Sequence, residues 1–184
     1  MHIKYVESEK IAKFIIKWKL LVSKYDLYFL YPPLTIVYTS PPMSEKMLKF
    51  VEIGQQNPPK RDKNSRKEDF NEIYSEFIKG KANEQSSRCS QCGVPFCQVH
   101  CPLSNNIPDW LKLTAEGRHE EAYQLSQSTN NMPEVCGRIC PQDRLCEGNC
   151  VIEQSGHGTV TIGSIEKYIT ETAWENGWVK PIKV

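Results

Sequence analysis

Arg88-Cys-Ser-Gln-Cys-Gly-Val-Pro-Phe-Cys-Gln-Val-His-Cys-Pro102 carries four thiols at the spacing C-x2-C-x4-C-x3-C-P, and Cys136-Gly-Arg-Ile-Cys-Pro-Gln-Asp-Arg-Leu-Cys-Glu-Gly-Asn-Cys150 carries four more as C-x3-C-x5-C-x3-C. Together the two runs hold all 8 cysteines of the chain. Stable disulfides need an oxidising compartment, and a secretory leader needs an apolar stretch behind a basic start. Here charged residues from Lys4 and Glu7 through Lys24 and Asp26 interrupt every early apolar run. The uncharged run from Leu27 to Ser44 is broken by Pro32, Pro33, Pro41 and Pro42, so no membrane span is expected. The expected setting is the cytoplasm, where grouped cysteines bind metal or do redox chemistry.

Two groups of four thiols suggest two polynuclear sites. Zinc accepts a thiolate tetrad equally well. Zinc ribbons, however, set two close-spaced pairs on separate knuckles, whereas here the ligands crowd one loop and both Cys101 and Cys140 precede proline. Crowded thiolates ending in Cys-Pro resemble the bacterial ferredoxin run, in which the fourth cysteine of one run ligates the other cluster. Iron–sulfur is therefore preferred, with a zinc-stabilised binding module as the alternative from a different class. Gly93, Gly137 and Gly148 beside the cysteines would let backbone amides approach the sulfurs, or serve as plain turn residues.

Outward from the cysteines the pattern is helical. Phe70, Ile73, Tyr74, Phe77 and Ile78 form one stripe of an expected three-turn helix, with Asp69 as an early-turn acid. Ile107, Trp110, Leu111 and Thr114 repeat the pattern, with Pro108 in the first turn and Gly117 at the end. A short helix is expected over His119 to Gln127, packing through Ala122 and Tyr123, and a last one from about Gly163 to Asn176, stopped by Gly177. No stretch alternates long enough to make a convincing strand, so the fold class is mostly α. Residues 55 to 67 are polar, basic and turn-rich, and 43–67 reads as an extended arm or linker ahead of an α-helical domain at 68–184. Residues 1–42 hold 8 aromatics and no glycine, unlike everything after them. They read as an atypical extension upstream of a natural start at Met43, an unfamiliar N-terminal helix being the other reading.

The chain has 184 residues, with 23 Lys+Arg against 22 Asp+Glu, so no field strong enough to recruit nucleic acid is expected. Only 39% of residues are hydrophobic and the mean hydropathy is −0.51, which implies a thin core unless something else ties the chain together. His2, His100, His119 and His157 have no partner that makes a nucleophile–base pair, and no catalytic residue is expected. Gly156-His-Gly158 lacks the third glycine and preceding strand of a dinucleotide fingerprint and reads as a loop.

Cys89 to Leu113, the second cysteine run, and Val160-Thr-Ile-Gly-Ser-Ile-Glu-Lys-Tyr-Ile-Thr-Glu171 closely resemble the N-terminal iron–sulfur domain of the glutamate synthase small (β) subunit, a domain shared with dihydropyrimidine dehydrogenase. The resemblance covers roughly residues 43 to 184. It implies an α-helical ferredoxin-like domain of short helices around two 4Fe–4S clusters. By position, Cys89, Cys92, Cys97 and Cys150 correspond to the ligands of one cluster, and Cys101, Cys140 and Cys146 to three ligands of the other. The fourth ligand of the second is Glu166 or, in competition, Cys136. The resemblance further implies electron transfer from FAD, reduced by NADPH, to the FMN of a glutamate synthase large subunit. FAD and NADPH would bind in a C-terminal part beyond this chain, which looks like an N-terminal fragment. A ferredoxin–NADP or pyrimidine-reducing oxidoreductase is the alternative owner of the same domain.

Overall fold

The computed structural model describes residues 46–77 and 79–181. The chain divides into two units, Met1–Thr39 and Ser40–Val184, and the described residues lie in the second. The expectations for residues 1–42 fall outside the described residues. Short helices make up the second unit: α1 Ser65–Glu68, α2 Lys79–Ser86, α3 Phe96–Val99, α4 Ile107–Ala115, α5 His119–Gln127, α6 Pro133–Ile139, α7 Val151–Gln154 and α8 Ile162–Glu175. Among the described residues the β pairing consists of one isolated antiparallel bridge, Lys60 to Tyr74. The mostly α class expected from the sequence holds.

Three expected helices form where their apolar periods lie. In α4 the period buries Ile107, Trp110, Leu111 and Thr114, and Pro108 sits in the first turn, where a missing N–H leaves no bond unmade. Trp110 Nε1 donates to Asn105 Oδ1 (2.9 Å), and Asn105 Nδ2 donates to the Ser126 carbonyl (2.9 Å), which fixes the start of α4 to the end of α5. Along α8, Ile162, Ile165, Ile169 and Ala173 form the buried stripe. Glu166 shares that stripe, so the period itself carries a carboxylate into the interior.

The helix expected over Phe70–Ile78 does not form. Arg61 N donates to the Ile73 carbonyl and Ser75 N to the Pro59 carbonyl (both 2.9 Å), so the segment runs extended beside residues 59–61. Asp69 is pinned by the Arg61 guanidinium (2.6 and 3.1 Å) and accepts Asn71 N–H (3.0 Å), which holds its carboxyl well below the usual range. Phe70, Ile73 and Tyr74 are exposed and only Phe77 is buried; Ile78 lies outside the described residues. The helix forms later, as α2, in a sequence without an apolar stripe. There Gln85, Ser86, Ser87 and Arg88 are fully buried. Gln85 accepts Gln56 N–H (2.9 Å) and donates to the Gly54 carbonyl (3.2 Å), so residues 54–56 lie against α2.

Helices α6 and α8 cross at Gly137, where an added Cβ would stand 2.8 Å from Lys167 N and 2.9 Å from the Gly163 carbonyl oxygen. Backbone cannot yield there as a side chain could. Gly137→Ala is therefore expected to destabilise the domain by about 1–3 kcal/mol, the usual cost of overpacking, seen as a lower thermal midpoint. His119 gives a second test. It is buried, lies edge-on to Tyr168, and meets the Asn83 amide, whose nitrogen in the orientation satisfying all partners donates to His119 Nε2 and to the Lys79 and Thr114 carbonyls. Burial, then Lys79, pushes the imidazole below its ordinary 6.5. Its neutral form is favoured by the fold, so this stabilisation is complete above pH 6.5 and is lost as pH falls through the lowered value. The thermal midpoint of the chain should fall between pH 7 and 5, and His119→Gln should flatten that fall; parallel profiles would exclude the role.

Candidate metal centre

All eight cysteines are free, and the fold sorts them into two groups that cross between the runs. Cys89 follows α2, Cys92 lies on the next loop, Cys97 is inside α3, and Cys150 caps the start of α7. These four lie within one another's fields. The Cys97 thiol is pushed up to about 12 by burial and then by Cys89, Cys150 and Cys92. Cys89 is pushed up to about 11 by burial, opposed by hydrogen bonds from Gln91 and reinforced by Cys150 and Cys92. Gln91 takes a left-handed backbone (φ 51°), from which its amide donates to Cys89 Sγ (3.4 Å) and the Pro108 carbonyl (2.7 Å). Ser90 Oγ lies 3.0 Å from Cys92 Sγ. Behind this group Arg88 donates to four carbonyls: Ile53 from Nε (2.8 Å), Thr159 from one terminal nitrogen, and His157 (2.9 Å) and Gly158 (2.8 Å) from the other.

The second group surrounds a cavity of about 290 Å3 lined by Cys101, Cys136, Cys140, Cys146 and Glu166, with Trp110, Ile107 and Ile162 completing the wall. Burial raises the thiols of Cys136, Cys140 and Cys146. Gln142 supports the turn between Cys140 and Cys146: its amide donates to the Cys136 carbonyl (2.9 Å) and its own carbonyl accepts Glu147 N–H (2.9 Å). Glu166 is 8% exposed and its carboxyl is pushed up to about 7, by burial above all. Its Oε1 accepts from Asn130 Nδ2 (3.1 Å). Met132 N–H donates to Asn130 Oδ1 (3.0 Å), which fixes the amide's orientation, and the same oxygen faces Cys136 Sγ at 3.7 Å. Asn130 thus offers a donor to the carboxylate and an acceptor to a thiol S–H.

Every residue proposed from sequence as a ligand falls in one of these groups, and both candidates for the eighth position, Glu166 and Cys136, face the second cavity. Among the described residues no three His, Cys, Asp or Glu side chains converge closely enough to hold one ion. The thiols of the second group line a space, and a soft, sulfur-rich donor set suits an iron–sulfur cluster. Sequence reasoning missed Arg88, Gln91 and Asn130. Arg88 and Gln91 sit beside cysteines but carry no signal of burial, and Asn130-Asn131 reads as an ordinary turn. Of the three glycines singled out, Gly137 serves the helix crossing, Gly148 sits against the Asp143 carbonyl, and Gly93 has open space where a side chain would be. Gly156-His-Gly158 is the stop of α7: Gly156 is left-handed (φ 80°), and His157 N–H closes back on the Ile152 carbonyl (3.2 Å).

No helix among the described residues is long and apolar enough to cross a membrane. Comparison with known proteins agrees with the family expected from the motifs. The chain is 71% identical over 138 residues to the glutamate synthase [NADPH] small chain of Azospirillum brasilense, a match covering 75% of this chain and 29% of that protein. It is 51% identical over 136 residues to the same small chain of Escherichia coli, covering 74% and 29% respectively. The Bacillus subtilis small chain is 38% identical over 141 residues, covering 72% of this chain and 28% of its own length. The chain thus spans less than a third of the length of these curated relatives. Residues 66–178, which contain both thiol groups and Glu166, match the family described as dihydropyrimidine dehydrogenase domain II, 4Fe–4S cluster, and it is to this family of iron–sulfur domains that the chain belongs.

Proposed function

We propose that the domain holds two 4Fe–4S clusters and relays electrons from an FAD reduced by NADPH to the FMN of a glutamate synthase large subunit, where glutamate is formed. The flavin and nicotinamide sites would lie on the part of such a small chain that this sequence does not span. The observation that carries the reading is the sorting of the eight thiols and Glu166 into two neighbouring groups, within a domain whose relatives are NADPH-type small chains. A cluster bound at such a site supplies a one-electron centre that changes charge without a bond being made or broken. Cys89, Cys92, Cys97 and Cys150 would hold one cluster, and Cys101, Cys140, Cys146 and Glu166 the other.

What this chain's own residues contribute is position and dryness. Gln91 and Ser90 reach the sulfurs of Cys89 and Cys92, and hydrogen bonds of this kind stabilise added negative charge. Trp110, fully buried, walls the second cavity from solvent. Asn130 supports Glu166 over Cys136 as the eighth ligand. Its nitrogen favours the ionised carboxylate, while its oxygen favours Cys136 as a protonated thiol, the form that does not ligate iron.

The chain, loaded anaerobically with iron and sulfide, should contain about eight of each, as two cubanes require. Glu166→Ala is expected to lower both to about four, or to alter the EPR signal of the second cluster, while Cys136→Ala leaves content and signal unchanged. The reverse pattern would make Cys136 the ligand. Zinc without labile sulfide, even after reconstitution, would replace the electron-transfer reading with a zinc-stabilised binding module.

A further inference from the structure

The two proposed sites carry equal ligand charge: four thiolates at the first, three thiolates and the Glu166 carboxylate at the second. Their surroundings differ in sign. Beside the first lies Arg88, fully buried. Its hydrogen bonds all go to main-chain carbonyls, which satisfy its donors without neutralising its charge. The anions whose fields reach it are Cys150 first and Glu153 second. Glu153 is exposed and occupied by the Thr159 N–H (2.7 Å), so solvent screens it, whereas Cys150 is one of the four thiols of the first site. Around the second site the neighbouring charges are carboxylates. Glu147, held by Gly163 N–H (3.0 Å) and partly buried, acts on Cys146, while Glu134, exposed and screened as Glu153 is, acts only weakly on Cys136 and Glu166. The cations carried by the two helices behind this site, Arg138 and Lys167, are paired with Glu72 and Glu171.

A buried cation with no carboxylate in contact lowers the free energy of any negative charge added beside it, and low dielectric enlarges the effect. From this asymmetry we propose that Arg88 is an electrostatic positioning residue that makes the Cys89/Cys92/Cys97/Cys150 site the first of the two to accept an electron. The inference rests on the two-cluster reading above and adds the order of filling to it. The step is a single electron taken from the donor, dithionite in the test below, adding one negative charge at the first site; no proton moves and no bond forms or breaks. Arg88 acts through charge that persists at every accessible pH.

The test is an EPR-monitored redox titration of the full 184-residue chain, reconstituted with iron and sulfide and poised with dithionite, in unaltered form and as Cys92→Ser, Cys140→Ser, Arg88→Gln and Arg88→Lys. The signal that develops first should be the one that Cys92→Ser alters, and Cys140→Ser should alter the second. Arg88→Gln should weaken the first reduction about tenfold or more, about 59 mV for one electron, leaving the second step in place, and Arg88→Lys should restore it. A first signal altered by Cys140→Ser instead, or an Arg88→Gln chain with full iron content and unmoved midpoints, overturns the proposal. Should both Arg88 variants lose iron, the order read from the two cysteine variants decides alone. An unaltered chain that binds no iron or labile sulfide fails the two-cluster reading itself, an outcome distinct from clusters that fill in the opposite order.

Discussion

The domain is organised by a crossing of its two cysteine runs. Cys150, the last thiol of the second run, lies with Cys89, Cys92 and Cys97, while Cys101, the last of the first run, lies with Cys136, Cys140 and Cys146. Neither group can assemble from one run alone, so everything between the runs has to fold back with the correct register. Helices α4 and α5 form that return, locked to each other through Trp110, Asn105 and the Ser126 carbonyl. Helix α8 then lies across α6, brought to contact by Gly137, and carries Glu166 into the second group. The close crossing and the geometry of the second group are therefore one constraint: a methyl group at Gly137 would push apart the elements that bear Cys136, Cys140 and Glu166.

The interior compensates for a sequence poor in apolar residues by burying large polar side chains whose hydrogen bonds are made, although the buried hydroxyls of Ser126 and Thr161 have no partner among the described residues. Gln85 and Arg88 are fully enclosed, and each ties segments distant in sequence through main-chain atoms. Such groups are stabilising only when their hydrogen bonds are made, because an unpartnered one costs its full desolvation. In return they are directional, and fix where residues 53–56 and 157–159 lie relative to the thiols in a way apolar packing would not.

This division explains what was legible in the sequence. Helices α4, α5 and α8 were visible because apolar period and burial coincide in them, and the thiol grouping was visible because cysteine spacing reports on it directly. The segment Phe70–Ile78 shows the limit: its apolar residues keep helical spacing, yet pairing with residues 59–61 and the Arg61–Asp69 ion pair hold it extended, and those partners lie outside any local window. Helix α2 was invisible for the opposite reason, since it buries Gln, Ser and Ala on no apolar stripe. The same holds at the site. Glu166 was found through family resemblance, whereas Asn130, which orients it, becomes apparent only when residues 130 and 166 are seen side by side.

The crossing of the runs also orders events during synthesis. A growing chain exposes Cys89, Cys92 and Cys97 well before Cys150 exists, and at about 5–20 residues per second the interval is several seconds. Through that time three soft donors are open to any thiophilic ion. Cys101 waits in the same way for Cys146, and Glu166 comes later still. Neither thiol group can therefore be completed on the nascent chain until nearly the whole domain has left the ribosome, and on the two-cluster proposal iron delivery to this fold would be coupled to its completion.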